Sequence, residues 1–177
     1  MPTFQAAAAG GFSNIAVFTS SGSWTVPSGI TKAKVTVVGG GGGGGYTYNY
    51  ENNGGGGGGT AMEYVTGLSG TVAITVGSGG ARGNPGTTGG TSSFGSYCSA
   101  SGGLGGSSRQ DGDQPNIYPG TGGSGSGGSI NISGGGGTLF RYQDGGSSSM
   151  SAGNGKLYGG GGNLEDVGAA GIVIIEY

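Results

Sequence analysis

The chain has 177 residues, enough for one domain with a modest core, and 52 of them are glycine. Charge is sparse, with six lysine or arginine residues, eight aspartate or glutamate residues and no histidine. The lack of a basic face argues against nucleic-acid binding. A single cysteine without histidine excludes an internal disulfide, zinc-binding patterns, and Ser-His-Asp or Cys-His catalysis.

Residues 1–13 form a leader of mostly small residues, in which Phe4 and Phe12 are the aromatic side chains. The leader lacks the basic stretch and apolar core of a signal peptide. Two interpretations stay open: a frayed terminus, or an attachment strap that binds a fibre or baseplate protein. We therefore divide the chain into a strap, 1–13, and a glycine-rich β domain, 14–177.

Strand-like segments follow the leader, marked by polar–apolar alternation or by β-branched runs. The predicted strands are 15–19, 24–26, 32–38, 61–66, 71–76 and 171–177. In the third, Ala33, Val35 and Val37 share a face, which indicates a half-buried strand. The fourth and fifth flank a turn-like stretch, 67–70, and predict a hairpin. The last is nearly apolar and predicts an internal strand buried on both faces.

No segment has the apolar spacing of an amphipathic helix, and glycine interrupts every window. No apolar run approaches the roughly 20 residues of a membrane helix, so we expect no membrane insertion. The sequence predicts an all-β fold. Its centre is a small antiparallel β-sandwich formed by the N- and C-terminal parts of the chain, with a long glycine-rich insertion over 77–170.

Uninterrupted glycine runs occupy 39–45, 54–59, 134–137 and 159–162, without the Gly-X-Y period of collagen. Flexible linkers are the simpler interpretation, but so many linkers in one small domain would hinder the strands from pairing. We predict polyglycine-II-type rods, which pack closely and share backbone hydrogen bonds because no Cβ separates them. A side chain larger than alanine inside a buried rod should clash with its neighbour.

The segments between the runs hold most of the tyrosine, asparagine and charge. Tyrosine gives rigid contact area at low entropy cost, and arginine and asparagine add hydrogen bonds, as in antibody loops. We favour a recognition surface on a rigid scaffold over the alternative that the tyrosines merely cover the rods. The candidate receptor-binding residues are Tyr46, Tyr48, Asn49, Tyr50, Arg109, Asp111, Asn116, Tyr118, Phe140, Arg141 and Tyr142.

Two acidic patterns carry less weight. Asp111 and Asp113, followed by Asn116, resemble a calcium loop but lack its later bidentate glutamate. Glu165 and Asp166 are adjacent, so on an extended segment they point to opposite faces and do not form an acid pair for sugar cleavage. We expect no metal, no cofactor and no catalytic residue, and therefore no enzyme; a depolymerase is the enzymatic alternative.

Three motifs in order carry a family resemblance. The first is FTSSGSWTVPSGI at 18–30, continuing through KVTVV at 34–38 into the first glycine run; the others are GGTSSFG at 89–95 and GAAGIVIIEY at 168–177. Together they resemble the glycine-rich domain at the ends of phage and prophage tail fibres, over nearly all of 15–177. The similar adhesins of T-even-like phages present variable loops on polyglycine-II rods and also carry a large N-terminal fibre-binding domain, which we do not expect in this chain.

The resemblance implies host attachment at a fibre tip. We expect an adhesin that binds a bacterial surface polysaccharide or outer-membrane protein and is held by other virion tail or fibre proteins. Its expected location is the virion, outside the cell after host lysis. The alternative is a purely structural virion protein, such as a capsid decoration or fibre cap. By analogy with other fibres, a homotrimer is one state that the resemblance allows.

Overall fold

The computed structural model describes residues 11–45, 53–111, 114–137, 145–148, 150, 157–163 and 166–177, without the side chains of 108–111 and 114–117. Within these residues the secondary structure is all β, and there is no helix. The strands are β1 (Ile15–Phe18), β2 (Gly22–Thr25), β3 (Lys32–Val38), β4 (Thr60–Thr66), β5 (Thr71–Thr75), β6 (Ser92–Phe94), β7 (Cys98–Ala100), β8 (Ser107–Asp111), β9 (Gln114–Tyr118), β10 (Gly125–Ser126), β11 (Ile130–Ile132) and β12 (Ile172–Glu176).

Two five-stranded antiparallel sheets form a β-sandwich, as the sequence predicts. The first sheet has the order β1-β12-β3-β4-β11 and the second the order β10-β7-β6-β5-β2. Strands β8 and β9 pair only with each other. The middle of the chain also contributes to the sandwich, because β6, β7, β10 and β11 all lie within the predicted insertion.

Side-chain alternation on the two sheets builds the core between them. On β3, Ala33, Val35 and Val37 are fully buried, as their spacing predicts. Phe94 of the second sheet is also fully buried, and its ring centroid lies 6.0 Å from that of Trp24. The ring centroid of Trp24 in turn lies 5.3 Å from that of Tyr177, so Tyr177 helps to close the core.

The predicted hairpin of β4 and β5 is wrong. Strand β4 pairs over its full length with β3, whereas β5 pairs with β2 and β6 in the opposite sheet. The turn residues between them carry the chain across the core: Gly67 and Gly70 adopt positive φ, and Leu68 between them is buried. Each strand therefore buries its apolar face from its own sheet, and β4 packs across the sandwich against β7 and β10 rather than against β5.

The prediction for the last strand is correct in position and only partly correct in burial. Strand β12 lies between β1 and β3, and its inward residues Val173 and Ile175 are fully buried. On the opposite side Ile172 is buried, but Ile174 and Glu176 are half-exposed. The second face of the strand is therefore covered only at one end.

Cys98 is a buried free thiol in β7, and burial raises its pKa from 9.0 to about 11, with a smaller contribution from the charge of Glu63. We expect negligible labelling of the native protein by a thiol reagent at pH 8, and full labelling after unfolding. Below pH 9 the thiol is protonated in both states, and its contribution to the free energy of unfolding is fully present. This contribution is lost as pH rises from 9 through 11, because the thiol ionises at lower pH in the unfolded state than in the folded state. Rapid native labelling at pH 8 would contradict this prediction.

Candidate functional site

Extended glycine-rich segments leave and re-enter one end of the sandwich. In the described part of the chain we number ten of them as rods 1 to 10, at 39–45, 53–59, 77–83, 86–90, 101–106, 120–124, 134–137, 145–148, 159–162 and 166–170. None of their glycines except Gly159 has a positive φ, as expected for a left-handed polyproline-II-like backbone. The rods are linked to one another by backbone hydrogen bonds.

Rod 1 bonds to its neighbours with the three-residue period of such a helix. The N–H groups of Gly39, Gly42 and Gly45 donate to rod 2, at 2.8–3.0 Å. The N–H groups one residue further along donate to rod 4, and those after them donate to rod 10. Its carbonyl groups accept from rods 3, 5 and 9. Rod 1 therefore has neighbours on six sides.

Rod 2 is surrounded in the same way. Its N–H groups donate to rods 5, 7 and 9, and its carbonyl groups accept from rods 1, 6 and 8. The contacts fit a hexagonal lattice of three layers within the described residues: rods 4, 5 and 6, then rods 3, 1, 2 and 7, then rods 10, 9 and 8. Ordering a glycine costs about 0.5–1 kcal/mol more than ordering an alanine, and a backbone hydrogen bond offsets about as much.

The lattice leaves no room for a side chain at its interior positions. A Cβ added at Gly42 would come closer than 3.0 Å to the backbone of Leu104 and Gly103, and one at Gly56 would meet the backbone of Thr121. In contrast, a Cβ at Gly136 of outer rod 7 would meet only Gly120 O, at 3.7 Å. The clash predicted from the sequence therefore holds for rods 1 and 2 and for many glycines of the outer rods, such as Gly134 and Gly137, and is avoided at positions such as Gly136 that face outward.

Outer rods 5 and 6 carry a larger side chain at every third residue, a signal that the sequence analysis missed. Ser101 and Leu104 of rod 5 are three residues apart, as are Thr121 and Ser124 of rod 6. With three residues per turn, such positions point to the same side, which here is the surface: Leu104 is 49% exposed. The two interior rods have no such positions between 39–45 or 54–59.

The rods run alternately away from the sandwich and back to it. Rod 1 directly follows β3 and rod 2 directly precedes β4, and Gly42 and Gly45 of rod 1 donate to Gly56 and Asn53 of rod 2 in antiparallel order. Odd-numbered rods lead outward and even-numbered rods return. The chain therefore passes from an outward rod to a returning rod at the end far from the sandwich, which we call the distal end. The connecting segments are 46–52, 84–85, 107–119, 138–144 and 163–165.

All the predicted receptor-binding residues fall within three of these connections. Tyr46, Tyr48, Asn49 and Tyr50, together with Phe140, Arg141 and Tyr142, lie outside the described residues. The described residues that flank them, Gly45 with Asn53 and Gly137 with Gly145, end or begin rods at the distal end. The topology thus directs both connections to the same end of the lattice.

The third connection contains the β8–β9 hairpin. Arg109 pairs with Asn116 and Asp111 with Gln114 in its register, although their side chains are outside the described part. Tyr118, which ends β9, is described and is 56% exposed. An aromatic side chain is therefore available to a partner at this end of the molecule.

Beneath the hairpin lies a buried polar side chain that sequence reasoning did not single out. Asn53 is fully buried at the start of rod 2, and its Nδ2 donates to Ser107 O at 2.8 Å. This bond ties the rod lattice to the base of the hairpin. Asn53 Oδ1 has no hydrogen-bond partner within the described structure, so it is left as a free acceptor.

The described residues contain no group of three or more histidine, cysteine, aspartate or glutamate side chains placed to hold a metal. In the same residues, no helix is long and apolar enough to cross a membrane. The distal end offers instead an exposed aromatic ring, and a set of connections fixed at their ends by the lattice. Such an arrangement is suited to non-covalent recognition.

An all-β sandwich that carries a hydrogen-bonded lattice of glycine rods defines the class of this protein. A family model described as a glycine-rich domain matches residues 17–174, nearly the whole chain. The chain belongs to this glycine-rich domain family. No curated protein matches it significantly.

Proposed function

We propose that this protein is the receptor-binding tip of a bacteriophage tail fibre, an adhesin that attaches to a polysaccharide or outer-membrane protein on a bacterial surface. The observation that carries the proposal is the convergence of the connecting segments at the distal end of the lattice. A rigid scaffold with variable, aromatic loops at one end is a common design for recognition. The sandwich lies at the other end, where attachment to the fibre would leave the loops free.

The composition of the connections supports recognition over a purely structural role. Five of the chain's nine tyrosines lie in them: Tyr46, Tyr48, Tyr50, Tyr118 and Tyr142. Six of its eight acidic residues lie in or directly beside them: Glu51, Asp111, Asp113, Asp144, Glu165 and Asp166. Tyrosines and charged groups gathered in the connections, on a chain with only 8% charged residues, favour a partner at that end.

The purified protein should bind to the surface of a subset of bacterial strains and should reduce adsorption of the phage that carries it. Binding is measured by flow cytometry of cells with fluorescently labelled protein, across a panel of strains. Antibody labelling of the virion then locates the protein at the fibre tip. Labelling on the capsid, together with no cell binding, would favour a decoration protein and would overturn the proposal.

A further inference from the structure

The outer face of the first sheet, which points away from the core, carries a row of mostly apolar residues. Strand register places Val17, Ile174, Thr36, Met62 and Ile130 in one row across all five strands. Val17 and Ile130, at the two ends of this row, are 52% and 55% exposed. Thr36 in the middle of the row is polar and only 8% exposed, so the exposed apolar surface lies toward the two ends of the row. Exposed apolar patches of this kind often mark interaction sites.

Charged residues on this outer face are few, and Lys32, which shares the face with Lys34, lies at the start of β3. In the neighbouring row, Ile15, Glu176, Lys34 and Tyr64 are aligned, and Lys34 Nζ lies 2.8 Å from a carboxylate oxygen of Glu176. This ion pair leaves the row without net charge. An uncharged, apolar occupant therefore fits the surface better than a charged one.

The described start of the chain leads onto this face. The N–H groups of Ser13 and Asn14 donate to Tyr177 O, beyond the end of β12, and the ring centroid of Phe12 lies 6.1 Å from that of Tyr64. Strands β12 and β3 lie between β1 and β4. Between Ile15 and Phe12 the chain therefore passes the ends of these strands and reaches the outer face of the sheet. Gly11 therefore starts from the outer face itself.

The ten residues that precede Gly11 have the composition that this surface favours. They read MPTFQAAAAG, with no charged side chain, four consecutive alanines and Phe4. Ten extended residues reach about 33 Å, whereas five strands at about 4.8 Å spacing are about 19 Å wide. The segment is long enough to cover the apolar row.

We propose that the outer face of the first sheet is the docking site for the N-terminal segment 1–10 of the same chain. The segment lies across β3, β4 and β11 and shields the row that includes Met62 and Ile130. Phe12 on Tyr64 is the first contact of this docking, and small alanine side chains allow close approach to the sheet. The docking makes the leader part of the sandwich and is independent of receptor binding at the distal end.

Hydrogen exchange measured by mass spectrometry on the full chain tests the docking. Peptides covering 1–12 should exchange about tenfold slower or more than a synthetic peptide of the same sequence. Ile130→Glu, which puts a charge on the apolar row, should remove this protection. Val167→Glu is the matched control: Val167 is 56% exposed, like Ile130, but lies on rod 10 away from the sheet. The control should leave the protection unchanged.

Three results would overturn the docking. One is exchange of 1–12 in the wild type at the rate of the free peptide, and another is equal protection in the wild type and Ile130→Glu. The third is protection that disappears on dilution, because this would mean that a second copy supplies the segment. Thermal melting of both variants verifies that each is folded before exchange is compared.

Discussion

Replacing Gly42 with valine is expected to destabilise the protein by roughly 3–5 kcal/mol. The first atom of the new side chain already overlaps the backbone of Leu104 and Gly103, which cannot move without shifting rod 5. Displacing rod 1 would also break the bonds from Gly42 N to Gly56 O and from Gly162 N to Gly42 O, both 2.8 Å long. For a domain of this size, the expected loss is on the order of 10 °C in melting temperature.

A matched pair of alanine variants separates the clash from a general effect of losing glycine. Gly42→Ala meets the same backbone atoms, whereas Gly136→Ala finds only Gly120 O, at 3.7 Å. We expect Gly42→Ala to melt well below the wild type, and Gly136→Ala to be unchanged or more stable by up to about 1 kcal/mol. Equal melting temperatures of Gly42→Ala and Gly136→Ala would show that the interior rods are not close-packed.

The position of a rod in the lattice could have been predicted from the sequence more fully than it was. The two uninterrupted runs 39–45 and 54–59 occupy the interior because a backbone with neighbours on six sides tolerates no Cβ. Outer rods tolerate a side chain once per turn, as at Ser101 and Leu104. The absence of a Gly-X-Y period excludes collagen, but the local spacing of three marks rods 5 and 6 as facing solvent, whereas the short all-glycine runs 134–137 and 159–162 are also outer and carry no such mark.

The pairing of β4 and β5 could not be read from local sequence. Both segments alternate correctly and the intervening glycines are typical of a tight turn, so a hairpin satisfies every local rule. Buried Leu68 is the distinguishing residue, because a hairpin tip would expose it. The strand that β4 pairs with is determined by a non-local contact: β4 pairs with β3, although rods 1 and 2 separate the two strands in the sequence.

The residue composition of the candidate site could be predicted from the sequence, but its position in the molecule could not. Tyrosine-rich segments stand out between the glycine runs, yet nothing in their own residues indicates that 46–52 and 138–144 share an end of the molecule. That follows from the alternation of rod direction, which the backbone bonds of rods 1 and 2 define. The distal end is therefore a product of topology, and the proposed receptor binding depends on the aromatic residues of its connections.

Replacing Tyr48 or Tyr142 with alanine is expected to weaken binding to receptive bacterial cells by about tenfold or more, without changing the melting temperature. Tyrosine side chains at the centre of an interface commonly contribute about 2 kcal/mol or more when truncated, and tenfold corresponds to about 1.4 kcal/mol. The two residues belong to different connections, so losses in both would mean that one receptor contacts several connections at once. Binding isotherms on cells of a receptive strain, with purified labelled protein, give the affinities.

Tyr64→Ala provides the comparison, because Tyr64 is 48% exposed but lies on the sandwich, far from the distal end. Truncating it removes a similar exposed ring and should leave cell binding unchanged. If Tyr48→Ala and Tyr142→Ala bind cells like the wild type while Tyr64→Ala does not, the receptor contacts the sandwich and the distal end loses its proposed role. Equal, modest losses in all three variants would indicate nonspecific adhesion through tyrosine, since a localised binding site requires the effect to depend on position.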